Sequence, residues 1–184
     1  MMRRNGLARV YRCGAAAVAV AAIVAVASMP AASAAGTGPA QAKAALESLK
    51  QLAGTWQGTA GPDKQPATVV YRVASGGTVV IETLFPETSH EMVTVYHLDG
   101  DDLAATHYCS QGNQPRFRLD RARSTDDTLR FEFAGGTNLD AAKDGHVHQG
   151  EIVIHGPDAL SASWQFWNAG ALEATLGFTL ERKH

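Results

Sequence analysis

From Thr55 onward, apolar and polar residues alternate with a period of two, and clusters of Gly, Asn, Asp, Pro or Ser break the alternation about every eight to twelve positions. This pattern constrains the fold more than any other feature of the chain. A period of two puts successive side chains on opposite faces of a strand, and a helix cannot hold it on one side. Ten candidate strands result, at 55–60, 67–75, 78–85, 90–98, 103–109, 116–123, 128–134, 147–155, 160–167 and 171–182. The segments between them include Gly76-Gly77, Asp99-Gly100, 124–127, Gly156-Pro157-Asp158 and Asn168-Ala169-Gly170, which carry the residues that tight hairpins demand. Chain neighbours therefore pair antiparallel. An open meander of this length exposes two edges, and closure removes both. The expected fold is all-β: an antiparallel up-and-down β-barrel of about ten strands.

The alternation also assigns an interior. Val69, Tyr71 and Val73 share a face, as do Phe117 with Leu119, Leu129 with Phe131 and Phe133, and Leu160 with Ala162, Trp164 and Phe166. Arg116, Arg118, Arg121 and Arg123 fall on a solvated outer face. Ahead of the strands, Ala42, Ala45, Leu46, Leu49 and Leu52 recur at helical spacing and Gly54 ends the run, which predicts one short amphipathic helix over 42–52.

The N-terminus has a different composition. Arg3, Arg4, Arg9 and Arg12 precede an uncharged Ala/Val/Ile run from Gly14 to Ala27, and the small-residue string AASAA follows Pro30. This order of charged, apolar and cleavable regions is that of a secretory signal peptide. The expected division is a signal peptide at 1–34, a linker at 35–41 and a single barrel domain at 42–184. The apolar run is shorter than the roughly 18 to 20 residues that a membrane-spanning helix needs. No membrane span is therefore expected in the mature form, and the expected location is periplasmic or secreted. Arg3-Arg4 leaves twin-arginine export open beside the general secretory route.

Removal of 1–34 takes four of the sixteen basic residues and none of the eighteen acidic ones, leaving twelve against eighteen, a formal charge of −6. Such a surface repels nucleic acid, which is not an expected partner. The mature chain keeps one cysteine, Cys109, so an internal disulfide is excluded.

Reactive side chains concentrate in the hairpin from His90 to Cys109 and in the string Gly145-His146-Val147-His148. Turning the hairpin about Asp99–Asp102 sets Leu98 opposite Leu103, Thr94 opposite His107 and Met92 opposite Cys109. His90, Met92, Thr94, Tyr96 and Leu98 then share the likelier inner face with Leu103, Ala105, His107 and Cys109. His146 and His148, two apart, share a face of their own strand. Imidazole and thiolate suit zinc or copper, which makes His90, His107, Cys109, His146 and His148 candidate metal ligands. The competing reading has rim histidines in water and His107 as a core histidine bonded to a neighbour. Tyr71, Glu82, Tyr96, His107, Cys109, Asn113 and Trp164 are the candidate contacts for a small apolar or planar molecule held inside the barrel. Glu82 with His107 is also a possible acid/base couple. The first expectation is thus a ligand-binding barrel of unknown ligand. The alternative is a metal-dependent or acid/base enzyme using the same cluster.

The string Leu52-Ala53-Gly54-Thr55-Trp56-Gln57-Gly58 resembles the G-x-W opening of calycin barrels: lipocalins, fatty-acid-binding proteins and haem-binding nitrobindins. The resemblance implies that Trp56 closes one barrel end, plugged by the preceding helix. The hairpin from His90-Glu91-Met92 to Gly112 is similar to one in nitrobindins. Their last strand supplies a histidine to haem iron, whereas 172–182 here contains none, so the likeness argues less for haem than for the fold. ETLFPETSHEMVTVYHLDGDDLAATHYCSQGNQPR also resembles a block in exported bacterial proteins of a lipocalin-like domain-of-unknown-function family. That likeness implies a fold and no activity.

Overall fold

The structure is a computed structural model, and it describes residues 38–184. The signal peptide expected at 1–34 and the first part of the linker lie outside the described residues. Helix α1 (Pro39–Gln51) is followed by ten strands: β1 (Gly54–Ala60), β2 (Gln65–Ala74), β3 (Val79–Leu84), β4 (Met92–Asp99), β5 (Asp102–Tyr108), β6 (Gln114–Leu119), β7 (Thr128–Thr137), β8 (His146–Ile154), β9 (Ala159–Asn168) and β10 (Ala171–Arg182). Every strand pairs antiparallel with its chain neighbours, and β1 pairs with β10 to close the barrel. At that seam a Cβ on Gly58 would lie 2.0 Å from the Thr179 carbonyl oxygen, so the close approach of β1 to β10 requires glycine there.

Helix α1 starts three residues earlier than the apolar spacing predicts, which moves Pro39–Gln41 out of the expected linker. Proline suits the first helical turn, where its missing N–H costs nothing. Gln41 is drawn in because its buried amide donates to the Arg121 carbonyl at 2.9 Å and the Ser124 carbonyl at 3.1 Å. Ala42, Ala45, Leu46 and Leu49 form the stripe that α1 presses onto the barrel end, chiefly against β4 and β5.

Trp56 locks this closed end. It is fully buried and donates from Nε1 to the Leu52 carbonyl at 2.8 Å. The Arg182 guanidinium lies 4.3 Å from the centre of its ring. Arg182 also donates to the carbonyls of Pro157, Ala53 and Gln51 at 2.7, 2.7 and 2.9 Å, tying the last strand to the exit of the helix and to the β8–β9 turn. The main-chain acceptors left over at a helix C-terminus are thereby satisfied.

Three further expectations are corrected. Strand β6 stops at Leu119, so Arg121 and Arg123 sit in a turn, where the Asp120 carboxylate accepts the Ala122 and Arg123 N–H groups and breaks the ladder. Val73, expected inside, lies at a strand end and is 36% exposed. His90 belongs to the β3–β4 loop and not to β4; successive turns close from Thr88 N–H to the Phe85 carbonyl and from Glu91 N–H to the Thr88 carbonyl.

Among the described residues no helix is long and apolar enough to cross a membrane.

Candidate functional site

The end of the barrel opposite α1 is open. Two ladders stop short there. Strands β5 and β6 pair only over Ala104–Thr106 with Arg116–Arg118, and β7 and β8 last pair at Phe131 and Gly150 although β7 runs on to Thr137. A cavity of about 230 Å³ lies at this end. Leu84, Met92, Val147, Phe166, Leu176 and Phe178 make its walls apolar; Cys109, Ser110 and Gln111 lie along the β5–β6 loop side. His107 and Trp164 also line it. Both are buried, at 4% and 7% exposure, and neither His107 Nε2 nor Trp164 Nε1 has a hydrogen-bond partner in the protein. Leaving such groups unpaired inside a fold costs about 1–3 kcal/mol each.

A row of polar side chains crosses the inner wall behind His107. The register places Tyr71 opposite Glu82, Glu82 opposite Thr94 and Thr94 opposite His107, on four successive strands. Tyr71 donates its hydroxyl to Glu82 Oε1 and Tyr96 donates to Oε2, both at 2.7 Å. Burial pushes the Glu82 carboxyl upward, and the hydroxyls of Tyr71, Tyr96 and Thr94 pull it back. Both tyrosines are raised well above the usual phenol range, first by burial and then by the adjacent carboxyl. Thr94 Oγ1 lies 2.9 Å from His107 Nδ1. Burial lowers the His107 pKa to about 4, so the ring is neutral near pH 7.

His146 and His148 form a second group. Val147, between them, lines the cavity, whereas the two histidines stack with Phe133 and Trp167 where β7 and β8 separate. The His148 ring is 4.1 Å from Trp167 and 4.7 Å from Phe133, centre to centre. Phe133, expected deep in the core, is instead half-buried in this stack. His146 Nδ1 is 2.8 Å from the Asp144 carbonyl oxygen, which can only accept, so His146 carries its hydrogen there. Its Nε2 then accepts from His148 Nδ1 at 3.0 Å. Burial, and then the neighbouring His146, lower the His148 pKa.

The five candidate metal ligands thus fall in three places. His90 is exposed in its loop beside Ser89, His107 and Cys109 line the cavity, and His146 and His148 belong to the aromatic stack. Among the described residues no three His, Cys, Asp or Glu side chains stand close enough to hold one metal ion. Of the candidate ligand contacts, His107, Cys109 and Trp164 line the cavity, while Tyr71, Glu82 and Tyr96 form the buried row behind it. Asn113 braces the mouth: its side-chain amide donates to the Gly145 carbonyl at 2.8 Å, and its own carbonyl accepts the Cys109 N–H. Thr94 was not among the candidates, although the hairpin register that sets it opposite His107 was readable. Leu84, Leu176 and Phe178 were also not among the candidates, although alternation with Glu82 and with Leu180 puts them on inward faces; nothing in the sequence marks Ser110.

The fold and this opening define the molecule as a closed ten-stranded antiparallel barrel, capped by a helix at one end and hollow at the other. No family model and no curated protein matches the chain. Among solved structures, it is similar to a protein of unknown function from the DUF3598 family of Nostoc punctiforme, with 14% identity and a TM-score of 0.50 over 73% of this chain and 49% of that one. The chain spans about half the length of that protein, and the likeness shows the fold alone.

Proposed function

We propose that this protein is an exported barrel that binds a small, largely apolar molecule in the cavity at its open end. One observation carries the reading: an apolar cavity is lined by His107 and Trp164, two residues whose buried ring nitrogens, Nε2 and Nε1, the protein itself leaves unpaired. Apolar pockets with a few convergent polar groups are the usual form of a small-ligand site. A volume of about 230 Å³ exceeds the ~150 Å³ that holds benzene in an engineered cavity, so a one- or two-ring body fits.

The charged run before residue 34 supports export, and the single compact barrel supports one mature domain. Relationship to calycin barrels is supported by Gly54-x-Trp56 opening the first strand, by Trp56 at the closed end and by α1 plugging that same end.

The test is ligand-dependent protection of Cys109. Cys109 is partly exposed and lies on the cavity wall, so its alkylation by iodoacetamide is expected to slow as naphthalene is added, and Trp164 emission to shift in parallel. Val147→Trp, which fills the cavity, should abolish both responses. If naphthalene left the alkylation rate and the emission of the native protein unchanged, the cavity would not be a ligand site.

A further inference from the structure

We propose that the outer face of β2–β6 docks onto an anionic lipid bilayer, an apolar ridge entering the headgroup layer while Arg72 and Arg116 take lipid phosphates on either side of it. The docking does not depend on the cavity being a ligand site.

An antiparallel wall with one face in water is expected to alternate apolar inside with polar outside. Between β2 and β6 the outer face breaks that rule. The ladders set Arg72 opposite Ile81, Ile81 opposite Val95, Val95 opposite Thr106 and Thr106 opposite Arg116, a row across five strands with a cation at each end and no charge between. The row on one side of it runs Val70, Thr83, Val93 and Tyr108, and the row on the other includes Val79, His97 and Ala104. Tyr108 is 50% exposed, and the rest of these two rows is half-buried. None of the three rows holds an Asp or Glu; Glu82 on β3 is buried on the inner side. A comparable row on the other half of the barrel sets Arg130 opposite Glu151 and Glu151 opposite Ser163, and is polar throughout. The apolar outer surface is therefore one-sided, the mark of an interaction face.

Charge and curvature decide what covers it. Among the described residues Arg72 and Arg116 make no ion pair, whereas Asp99 and Asp102, at the hairpin turn, are held by Arg118 and Arg121. The two free guanidinium groups ask for anions on both sides of an apolar centre. A second copy does not supply them. A twofold axis along the strands, centred on this face, would set Arg72 against the partner's Arg116, and one across the strands would set each arginine against its own copy. The wall of a barrel is convex, so β4 stands foremost, and the arginines, about 19 Å apart along the wall at four strand spacings, sit back from it. A bilayer yields to such a ridge. Its phosphates can rise to guanidinium groups whose stems lie along apolar surface, and a half-exposed tyrosine suits the same boundary. Leu84, Met92 and Cys109, chain neighbours of Thr83, Val93 and Tyr108, line the cavity, so a docked barrel holds its open end beside the lipid.

The test is co-sedimentation of the full mature chain with vesicles of equal parts phosphatidylglycerol and phosphatidylcholine, against vesicles of phosphatidylcholine alone. Binding to the first is expected, weakened by added salt, and roughly tenfold weaker or more on the second. Arg72→Gln and Arg116→Gln should each weaken it about fivefold. Arg130→Gln, which removes the same charge from the other half of the barrel, should leave it unchanged. Val95→Asp puts a charge on the ridge and should abolish binding with the far-ultraviolet spectrum retained; if that variant fails to fold, the arginine variants still decide. Absence of binding, equal binding to both vesicles, or an Arg130→Gln loss as large as that of Arg72→Gln would overturn the proposal. So would a dimer, seen by sedimentation equilibrium without vesicles and dissolved by Val95→Asp, which would give the face to a second copy of the chain.

Discussion

Thr94 and His107 face each other across the β4–β5 hairpin, with Oγ1 and Nδ1 2.9 Å apart, and this bond joins the buried Glu82 row to the cavity. Burial of the same histidine sets how the protein responds to acid. His107 titrates at about 4 because it is buried, against a usual value of 6.5. A histidine held below its unfolded value gives stability that is complete above pH 6.5 and lost as pH falls toward 4. The native chain should lose roughly 3 kcal/mol across that window on account of this ring alone. Chemical denaturation at a series of pH values checks it. His107→Gln should flatten the dependence between pH 6.5 and 4.

Tyr71→Phe removes one of the two phenol donors to Glu82 and leaves the ring packing intact. The carboxyl oxygen left without its donor is buried, which costs about 1–3 kcal/mol, and the variant should lose that much stability. Urea unfolding of the variant and the native chain at pH 7 measures the difference.

Arg182 decides how firmly α1 stays on the barrel end. Its guanidinium serves the carbonyls of Gln51, Ala53 and Pro157 at once and covers Trp56. Arg182→Lys keeps the charge but cannot reproduce a planar fork over a ring. Stability should fall by about 1–3 kcal/mol, and amide exchange should quicken in α1 before it does in the strands.

Much of this fold was legible in the chain. The period of two set the ten strands, and the turn residues set their antiparallel order, because one-sided burial and hairpin geometry act locally. The register that brings Thr94 opposite His107 followed from the Asp99–Asp102 turn alone. The cavity was less legible. Its lining comes from strands scattered along the chain, from Leu84 on β3 to Phe178 on β10, and its mouth is braced by the Asn113–Gly145 bond, a contact between residues 32 apart in sequence. Period two placed His146 and His148 on one face but gave no means to see that Phe133 and Trp167 would stack on them. Strand ends moved for the same reason: Asp120 ended β6 by capping two N–H groups that alternation alone would have kept in the ladder.

Gly150 offers a test of how Trp164 is held in the cavity wall. The two residues are ladder partners on β8 and β9, and the indole lies flat across the glycine. A Cβ at position 150 would come within 2.1 Å of the Trp164 ring, and Phe117 at 5.5 Å and Phe131 at 6.3 Å, centre to centre, bar the ring from backing away on their side. Gly150→Ala must therefore swing the indole toward the cavity or spread the strands. Overpacking of this kind costs about 1–3 kcal/mol. The two outcomes separate in one experiment. If the indole swings, Trp164 emission changes, naphthalene binding is lost and the Tm falls by only a few degrees. If the strands spread, the Tm falls further and amide protection drops along β8 and β9. The first outcome is expected, because the indole lies against the open cavity on one side while both backbones are held by ladders on either edge.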